Sequence, residues 1–279
     1  MPGSIGYNRV PQRLPSDSSG IRRRSLRSAS IEARTTLDKP MATGSSTDLI
    51  SPAPVSILPV PPLEPGDRLS RAEFERRYTA MRGLKKAELI EGTVYMASPV
   101  RFTHHGEQNA YLLWWLLSYK VQTPGVAVAD NTTLRLDQKN EPQPDAFLMI
   151  ETASGGQARI DRDGYIEGAP ELVAEIASST VSIDLHDKLE VYRRNGVREY
   201  IAWRVLDRAV DWFALRDGQY QRLAPDNEGI LRSEVFPGLW LHFPAMLEGK
   251  LDVVLATLER GIGTPEHHEF VAKLQPTQT

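Results

Sequence analysis

The chain has no cysteine among its 279 residues. Disulfides, thiolate zinc sites and cysteine nucleophiles are therefore excluded, and a reducing cytoplasmic location is expected. Long apolar runs are missing as well. The longest run of large apolar residues, Tyr111 to Leu117, is far shorter than the roughly 20 residues of a membrane-spanning helix. An apolar secretion signal is also absent. The sequence thus predicts a cytoplasmic protein without a membrane segment.

Several common catalytic motifs are absent too. The sequence has no phosphate-binding P-loop, no GxGxxG, no GxSxG and no HExxH. The stretch Asp161-x-Asp163-Gly164 hints at a calcium-binding loop, but its glycine comes too early and the twelfth position is Leu172. These motifs therefore indicate no nucleotide-binding, serine-hydrolase, zinc-protease or EF-hand function.

Charge is unevenly distributed along the chain. Residues 1–45 hold eight basic and three acidic groups, so the remainder carries 25 basic and 33 acidic groups. Ser, Arg, Gly and Pro dominate the start, and a proline-rich stretch follows. We predict a disordered basic tail and linker over residues 1–66, one domain over 67–260 and a loose tail over 261–279. The acidic body does not favour sequence-independent DNA binding.

A short apolar run, Leu172–Ala177, predicts a strand that is buried on both faces. Glu175 interrupts this run. An ionised carboxylate is costly to bury unless a metal, another cation or a proton compensates its charge. Its place in the strand therefore makes Glu175 a candidate functional residue.

A helix is predicted over residues 181–194, ended by Asn195-Gly196, and a second strand follows. Lys188 borders the apolar face of this helix and could reach over the end of the preceding strand towards Glu175. The alternative is an exposed lysine paired with Asp184, four residues earlier, which would contribute little to stability. Periodicity alone leaves both interpretations open.

Two further acids lie near predicted strands. Glu88 belongs to a predicted hairpin over residues 87–96. Edge strands often carry such acids for solubility, so Glu88 is not diagnostic by itself. Asp145 directly precedes the predicted strand Ala146–Ile150, and Pro144 before it marks the place where strand pairing opens, because proline cannot donate to a ladder.

A long helix is predicted over residues 102–120, with His105 near its start. Its middle, Tyr111 to Leu117, is apolar on all sides, which is more than one sheet face can cover, and we therefore predict a homodimer. A last amphipathic helix is predicted over residues 244–260. A histidine at the position of His105 is more often structural than catalytic.

A set of short motifs occurs in a fixed order along the chain. They are Ala87–Gly92, His105, Gln143-Pro144-Asp145, Glu171–Ile176, Asp184, Lys188, Tyr192, Gly196–Tyr200 and Phe236–Leu239. This ordered set resembles the bacterial restriction-endonuclease family of the Uma-two type, within the PD-(D/E)XK nuclease superfamily. The resemblance covers about residues 69–223, and the last motif extends it.

The resemblance implies an α/β (α+β), restriction-endonuclease-like mixed β-sheet flanked by helices. It also implies one or two magnesium or manganese ions held by acids. Asp145 and Glu175 match the metal-binding Asp and Glu of the family, and Glu88 matches its additional acid. The superfamily pattern has a lysine where this chain has Ala177. Lys188 matches the place from which the family is thought to supply that lysine.

The implied activity is metal-dependent hydrolysis of phosphodiester bonds in DNA, with His105 and Tyr192 as accessory residues. Magnesium lowers the pKa of a bound water and clamps the phosphate, and Lys188 would orient the water or stabilise developing charge. Two alternatives remain: a catalytically weak or inactive nuclease-fold protein that binds nucleic acid or a protein partner, and a purely structural role. The acidic body and Ala177 favour the first alternative, whereas the retained acids and Lys188 favour the nuclease.

Overall fold

The computed structural model describes residues 60–96, 101–178 and 180–275. These residues fall within one compact unit, residues 57–279. Most of the tail and linker predicted over residues 1–66 lies outside the described residues, and its disorder stays a prediction. Within the described ranges no helix has the length and apolar character needed to cross a membrane.

A mixed six-stranded sheet forms the centre of the fold. β8 and β9 run parallel, as expected for strands joined by a helix, and the other pairs in this sheet are antiparallel. The mixed sheet flanked by helices that the family resemblance implies is therefore confirmed. Its strands, in spatial order, are β11 (Gln219–Arg222), β10 (Ala209–Arg216), β9 (Glu199–Arg204), β8 (Leu172–Ala177), β5 (Ala146–Ile150) and β3 (Val126–Ala129).

Smaller sheets accompany the large one. They are the hairpin of β1 (Ala87–Ile90) and β2 (Thr93–Met96), the sheet of β4 (Leu134–Arg135), β7 (Ile166–Glu167) and β6 (Arg159–Ile160), and the hairpin of β12 (Ile230–Arg232) and β13 (Trp240–His242). The first hairpin turns at Glu91-Gly92, as predicted. Both turn residues have positive φ, 52° and 73°, which suits the right-handed twist of a tight hairpin.

Helices cover both faces of the large sheet, which explains why its central strands are apolar along their whole length. Ile176 and Trp203 belong to the core shared with α2 and α5, whereas Val173 and Ala202 belong to the core on the opposite face. The helices are α1 (Arg71–Ala80), α2 (Gly106–Gln122), α3 (Lys188–Arg194), α4 (Phe243–Leu247), α5 (Leu251–Ile262) and α6 (Pro265–Leu274).

The helix predicted over residues 181–194 is present, but part of it is wound more widely than an α-helix. Ile183–Asp187 form a π-helical turn that leads directly into α3. Such turns add one residue to a helix and are frequent at functional sites. This turn sets the direction in which Asp184 and Lys188 point.

Two predictions for the C-terminal part are wrong. The single helix expected over residues 244–260 is divided into α4 and α5, because Gly249 between them adopts a left-handed φ of 69°. The tail expected to be loose from residue 261 includes α6. His267 of α6 is buried and lies 2.9 Å from the Thr123 hydroxyl, so this helix docks beside the end of α2.

The apolar middle of α2 is covered mainly by its own chain. Trp115 and Leu116 are fully buried in the core that α2 shares with the sheet and α5. Leu117 stays 47% exposed and Val121 75% exposed. The apolar circumference of α2 therefore does not by itself require a second subunit, and the homodimer stays a prediction.

Candidate active site

The predicted acids meet at one end of the large sheet. β5 and β8 are antiparallel with Ala146 opposite Ala174, so the same register, continued by one residue, places Asp145 opposite Glu175. Cross-strand neighbours project from the same face of a sheet. The Ile176 amide donates a hydrogen bond of 2.8 Å to Asp145 Oδ2, which fixes this carboxylate at the strand end.

Lys188 reaches these acids from the helix that follows β8. Its Nζ atom lies 2.9 Å from Glu175 Oε1, 3.0 Å from Glu88 Oε1 and 3.8 Å from Asp184 Oδ1. Only 5% of Lys188 is exposed. The lysine is therefore not the exposed partner of Asp184 that the alternative interpretation describes. It is a buried cation shared by three carboxylates, with Glu175 at the shortest distance.

Further donors hold Glu175 and Glu88, the two nearest partners of Lys188, in place. Tyr192 OH donates to Glu175 Oε1 at 2.8 Å, and Tyr192 is fully buried. It lies one helical turn after Lys188, so both groups come from the same face of α3. On the other side, the backbone amide of Gln143 donates to Glu88 Oε1 at 2.8 Å. The acids are thus positioned by the backbone and by α3 together.

His105 faces Asp145 from the start of α2. Its Nε2 atom lies 3.4 Å from Asp145 Oδ1, and Lys86 Nζ lies 3.8 Å from the same oxygen. The hydrogen bond to Asp145 raises the pKa of His105, although burial opposes the shift. Burial tends to raise the pKa of Asp145, but His105 and Lys86 hold it below its ordinary value. Asp145 therefore stays ionised at neutral pH.

Negative charge exceeds positive charge around Lys188. Burial raises the pKa of Glu175 to about 8, with Lys188 opposing the shift and the neighbouring carboxylates adding to it. Burial likewise raises the pKa of Asp184. Burial would lower the pKa of Lys188, but Glu175, Glu88 and Asp184 raise it well above its ordinary value, so the ammonium stays charged. One ammonium cannot balance all these carboxylates, and the cluster favours a bound proton or a further cation.

The chemistry of this donor set fits a hard divalent cation. Magnesium prefers carboxylate oxygens and is usually bound by one or two carboxylates together with waters and substrate phosphates. In the described part of the chain, no three His, Cys, Asp or Glu side chains form a ready cation site. Glu88 and Glu175 each turn one oxygen, Oε1, towards Lys188. Asp145 and Glu175, opposite each other in the register, are the pair that could hold the ion.

The structure brings the candidate residues into two neighbouring sets of contacts: Lys188 with Glu88, Glu175 and Tyr192 around it, and His105 with Asp145, whose backbone partner Ile176 directly follows Glu175. Asp184 and Lys86 join them without a sequence prediction of this role. Asp184 is 2% exposed and accepts a hydrogen bond from the Thr180 hydroxyl at 2.5 Å. Its spacing to Lys188 is the one available signal in the sequence. Lys86 has none, because only folding brings it near Asp145.

Comparison with known proteins adds a family match. The model of the Uma2 family, described as putative restriction endonuclease, matches residues 71–244, which is well over half of the chain and includes every candidate residue. Among solved structures, a putative nuclease belonging to DUF820 from Anabaena variabilis is similar with a TM-score of 0.46 and 10% sequence identity. That match covers 70% of this chain and 99% of the other chain. No curated protein matches the chain.

Proposed function

Because the chain belongs to the Uma2 family of putative restriction endonucleases, we propose that it is a metal-dependent endonuclease that hydrolyses phosphodiester bonds in DNA. The observation that carries the proposal is the buried contact between Lys188 and Glu175 at the strand end that Asp145 shares. This lysine supplies the cation that the superfamily pattern would place at Ala177. We locate the activity in the cytoplasm, in keeping with the absence of cysteine.

The proposed cofactor is magnesium or manganese, held by Asp145 and Glu175 with Glu88 as the third acid nearby. When bound, such an ion lowers the pKa of a coordinated water and neutralises charge on the phosphate. The excess of carboxylates around Lys188 supports this choice, since a divalent cation favours the ionised form of every acid in the cluster.

The side chains have separate roles in the proposed reaction. Asp145 is ionised and fixed in position, and His105 orients it from α2. The Lys188 ammonium orients the attacking water or stabilises the negative charge that develops on the phosphate. Tyr192 is a positioning residue, because it is fully buried and its hydroxyl donates to Glu175.

A second function has one observation in its favour. Lys188 is buried between Glu88 and Glu175, which is also the arrangement of a structural ion pair. On this alternative the chain is a catalytically inactive nuclease-fold protein that binds nucleic acid or a protein partner. The acids then serve stability rather than chemistry.

The response of the melting temperature to magnesium or manganese separates the two functions. For the nuclease, the metal raises the melting temperature of the wild type by mass action. Asp145→Asn and Glu175→Gln abolish this rise and abolish cleavage, whereas Lys188→Ala keeps the rise and lowers turnover. Glu190→Gln, at an exposed acid of α3, is the matched control. It changes neither the rise in melting temperature nor cleavage. A wild type that shows neither metal response nor cleavage supports the binding protein instead.

A further inference from the structure

Lys86 is the most exposed of the charged side chains that contact the acid cluster. It keeps 24% of its side-chain surface exposed, compared with 19% for His105, 14% for Glu88 and 6% for Lys188. Its Nζ atom lies 3.8 Å from Asp145 Oδ1. Lys86 lies outside the motifs that carry the family resemblance, and the proposed reaction gives it no role. The cluster therefore reaches solvent at a lysine that has no assigned function.

Two segments of the chain hold Lys86 in this place. Lys86 directly precedes β1, and residues two apart in an extended chain project from the same face, so Lys86 and Glu88 are directed to the cluster together. From the other side, Asn131 Oδ1 accepts a hydrogen bond of 3.1 Å from Lys86 Nζ. Asn131 follows β3, which runs antiparallel to β5 and therefore ends beside the start of β5. The ammonium is thus positioned next to Asp145 by the fold.

The charge of Lys86 is compensated less completely than that of Lys188. Lys188 faces three carboxylates. Among the described residues, the partners of Lys86 are the neutral Asn131 and Asp145, which it shares with His105. An ammonium has three donors, and 3.8 Å is longer than a hydrogen bond, so donors of Lys86 remain for a ligand. An anion is therefore attracted to Lys86 and repelled by the carboxylates around Lys188.

Lys86 also lies beside the oxygen of Asp145 that remains available to a ligand. Asp145 Oδ2 accepts from the Ile176 amide, whereas Oδ1 faces Lys86 and His105. Proteins commonly bind magnesium through one or two carboxylates together with phosphates of the substrate. A phosphate at Asp145 therefore comes next to the Lys86 ammonium.

We propose that Lys86 binds a phosphate of the DNA strand at the acid cluster and is a further catalytic residue. The inference divides two tasks between two lysines. Lys188, buried among carboxylates, orients the attacking water, and Lys86 stabilises the negative charge that develops on the phosphate. This inference rests on the proposed nuclease function, which brings the phosphate to Asp145.

Fluorescence anisotropy of a labelled DNA duplex tests this inference on the full-length protein, with a chelator present so that no strand is cut. Lys86→Met should weaken binding and reduce the slope of log affinity against log salt by about 0.9, the loss of one phosphate contact. Lys86→Gln, a second neutral variant, should show the same loss, and Lys86→Arg, which keeps the charge, should retain the wild-type slope. Lys85→Met is the matched control, because this exposed neighbour projects from the opposite face, and it should also retain the wild-type slope.

Cleavage in magnesium provides the second measurement. Lys86→Met should lower kcat/KM about tenfold or more, and Lys86→Arg should recover most of it. Both variants should fold, because Asp145 keeps its contacts with His105 and the Ile176 amide, and circular dichroism verifies this.

Three results would overturn the inference: no binding of the duplex by the wild type, a wild-type salt slope in Lys86→Met and Lys86→Gln, or an equal loss of slope in Lys85→Met. The two measurements together keep the two proposals apart. Metal-dependent cleavage that Asp145→Asn abolishes and Lys86→Met leaves unchanged would retain the nuclease and reject the role of Lys86. Binding that depends on Lys86, without cleavage by the wild type, would retain the phosphate contact and reject the nuclease.

Discussion

At the scale of single residues, Lys188 controls the charge balance of the site. It is the buried ammonium that Glu88, Glu175 and Asp184 share. Removing one member of a buried ion pair destabilises a protein more than replacing the whole pair, because the remaining charge is then buried without either water or an opposite charge. The carboxylates around Lys188 can reduce this cost by taking up protons. The effect of removing Lys188 on the free energy of unfolding therefore depends on pH.

Lys188→Met keeps much of the side-chain volume and removes the charge. We expect the free energy of unfolding to fall by about 3–5 kcal/mol near neutral pH. The folded-state pKa of Glu175 is already about 8 and rises further without Lys188. Protonation of Glu175 then favours the folded state at low pH. The free energy of unfolding falls as pH rises from the pKa of Glu175 in the unfolded chain towards its higher pKa in the folded protein. Urea unfolding should show a larger loss at about pH 8 than at about pH 5.

Lys85, an exposed lysine outside the acid cluster, provides the control for this substitution. Lys85→Met removes a solvated charge and should change stability little at either pH. An equal loss for Lys188→Met at the two pH values would contradict the charge balance described for the cluster.

Glu199 is a second buried acid, separate from the cluster. It accepts hydrogen bonds from the Trp212 indole, the Ser233 hydroxyl and the amides of Glu234 and Val235. Burial nevertheless raises its pKa to about 7. Its raised pKa stabilises the fold fully below the ordinary carboxyl pKa, and this contribution is lost as pH rises through about 7.

Glu199→Gln removes this titration and one acceptor. The variant should be less stable than the wild type at about pH 5, since the amino group that replaces one carboxyl oxygen cannot accept from the Trp212 indole, and the deficit should shrink by about pH 8. Chemical denaturation of both proteins across this range measures the change. A difference in unfolding free energy that stays constant with pH would show that Glu199 has an ordinary pKa.

At the scale of elements, the π-turn at Ile183–Asp187 determines how Asp184 and Lys188 face the sheet. Deleting the exposed His186 should relax the turn to an α-helix and rotate the two ends of the helix relative to each other by about 100°. We expect a folded protein that is less stable by about 1–3 kcal/mol and has lost cleavage. Circular dichroism and a cleavage assay test this.

His186→Ala is the control for the deletion, because it alters the same exposed side chain without changing the helical register. It should retain both stability and cleavage. A deletion variant that cleaves as well as His186→Ala would contradict the role of the π-turn in positioning Lys188.

Much of the element structure is encoded locally and could be predicted from the sequence. Glu91-Gly92 specifies the hairpin turn, and the apolar run around Glu175 specifies a strand buried on both faces. Lys188 could be placed near Glu175 because the helical period puts it beside an apolar face. The α-helical period also describes most of residues 181–194, although it does not predict the extra residue of the π-turn.

Other features depend on contacts between distant residues and could not be predicted. Asp184 reads as a surface acid until the fold buries it, and Lys86 reaches Asp145 only through tertiary structure. The sequence predicts a loose tail from residue 261, yet His267 of α6 packs against Tyr119 and lies close to Thr123 across more than 140 residues of sequence. Local sequence patterns do not predict contacts between such distant residues.

At the scale of the whole molecule, one apolar strip of α2 remains uncovered. Leu117 and Val121 are exposed on this helix. The predicted homodimer would bury them, and sedimentation at micromolar concentration should then report a dimer that Leu117→Glu and Val121→Glu dissociate. Ile160→Glu, at an exposed apolar residue of β6, is the matched control. A wild type that sediments only as a monomer would make the strip an ordinary exposed surface.

The large sheet has a second consequence at this scale. Its faces are covered by helices, and Asp145, Glu175 and Lys188 lie buried together at one end of its central strands. On the proposed nuclease function, the substrate approaches from this end.

Cleavage of DNA by the purified wild type and by Asp145→Asn, with magnesium or manganese and with a chelator, tests the central claim most directly. Circular dichroism verifies that the variant is folded. We expect the wild type to cut in the presence of the metal and to stop in the chelator, and we expect Asp145→Asn to remain at background under all conditions. Cleavage that persists in the chelator or in Asp145→Asn, or a wild type that never cuts, would contradict a metal-dependent nuclease at this site.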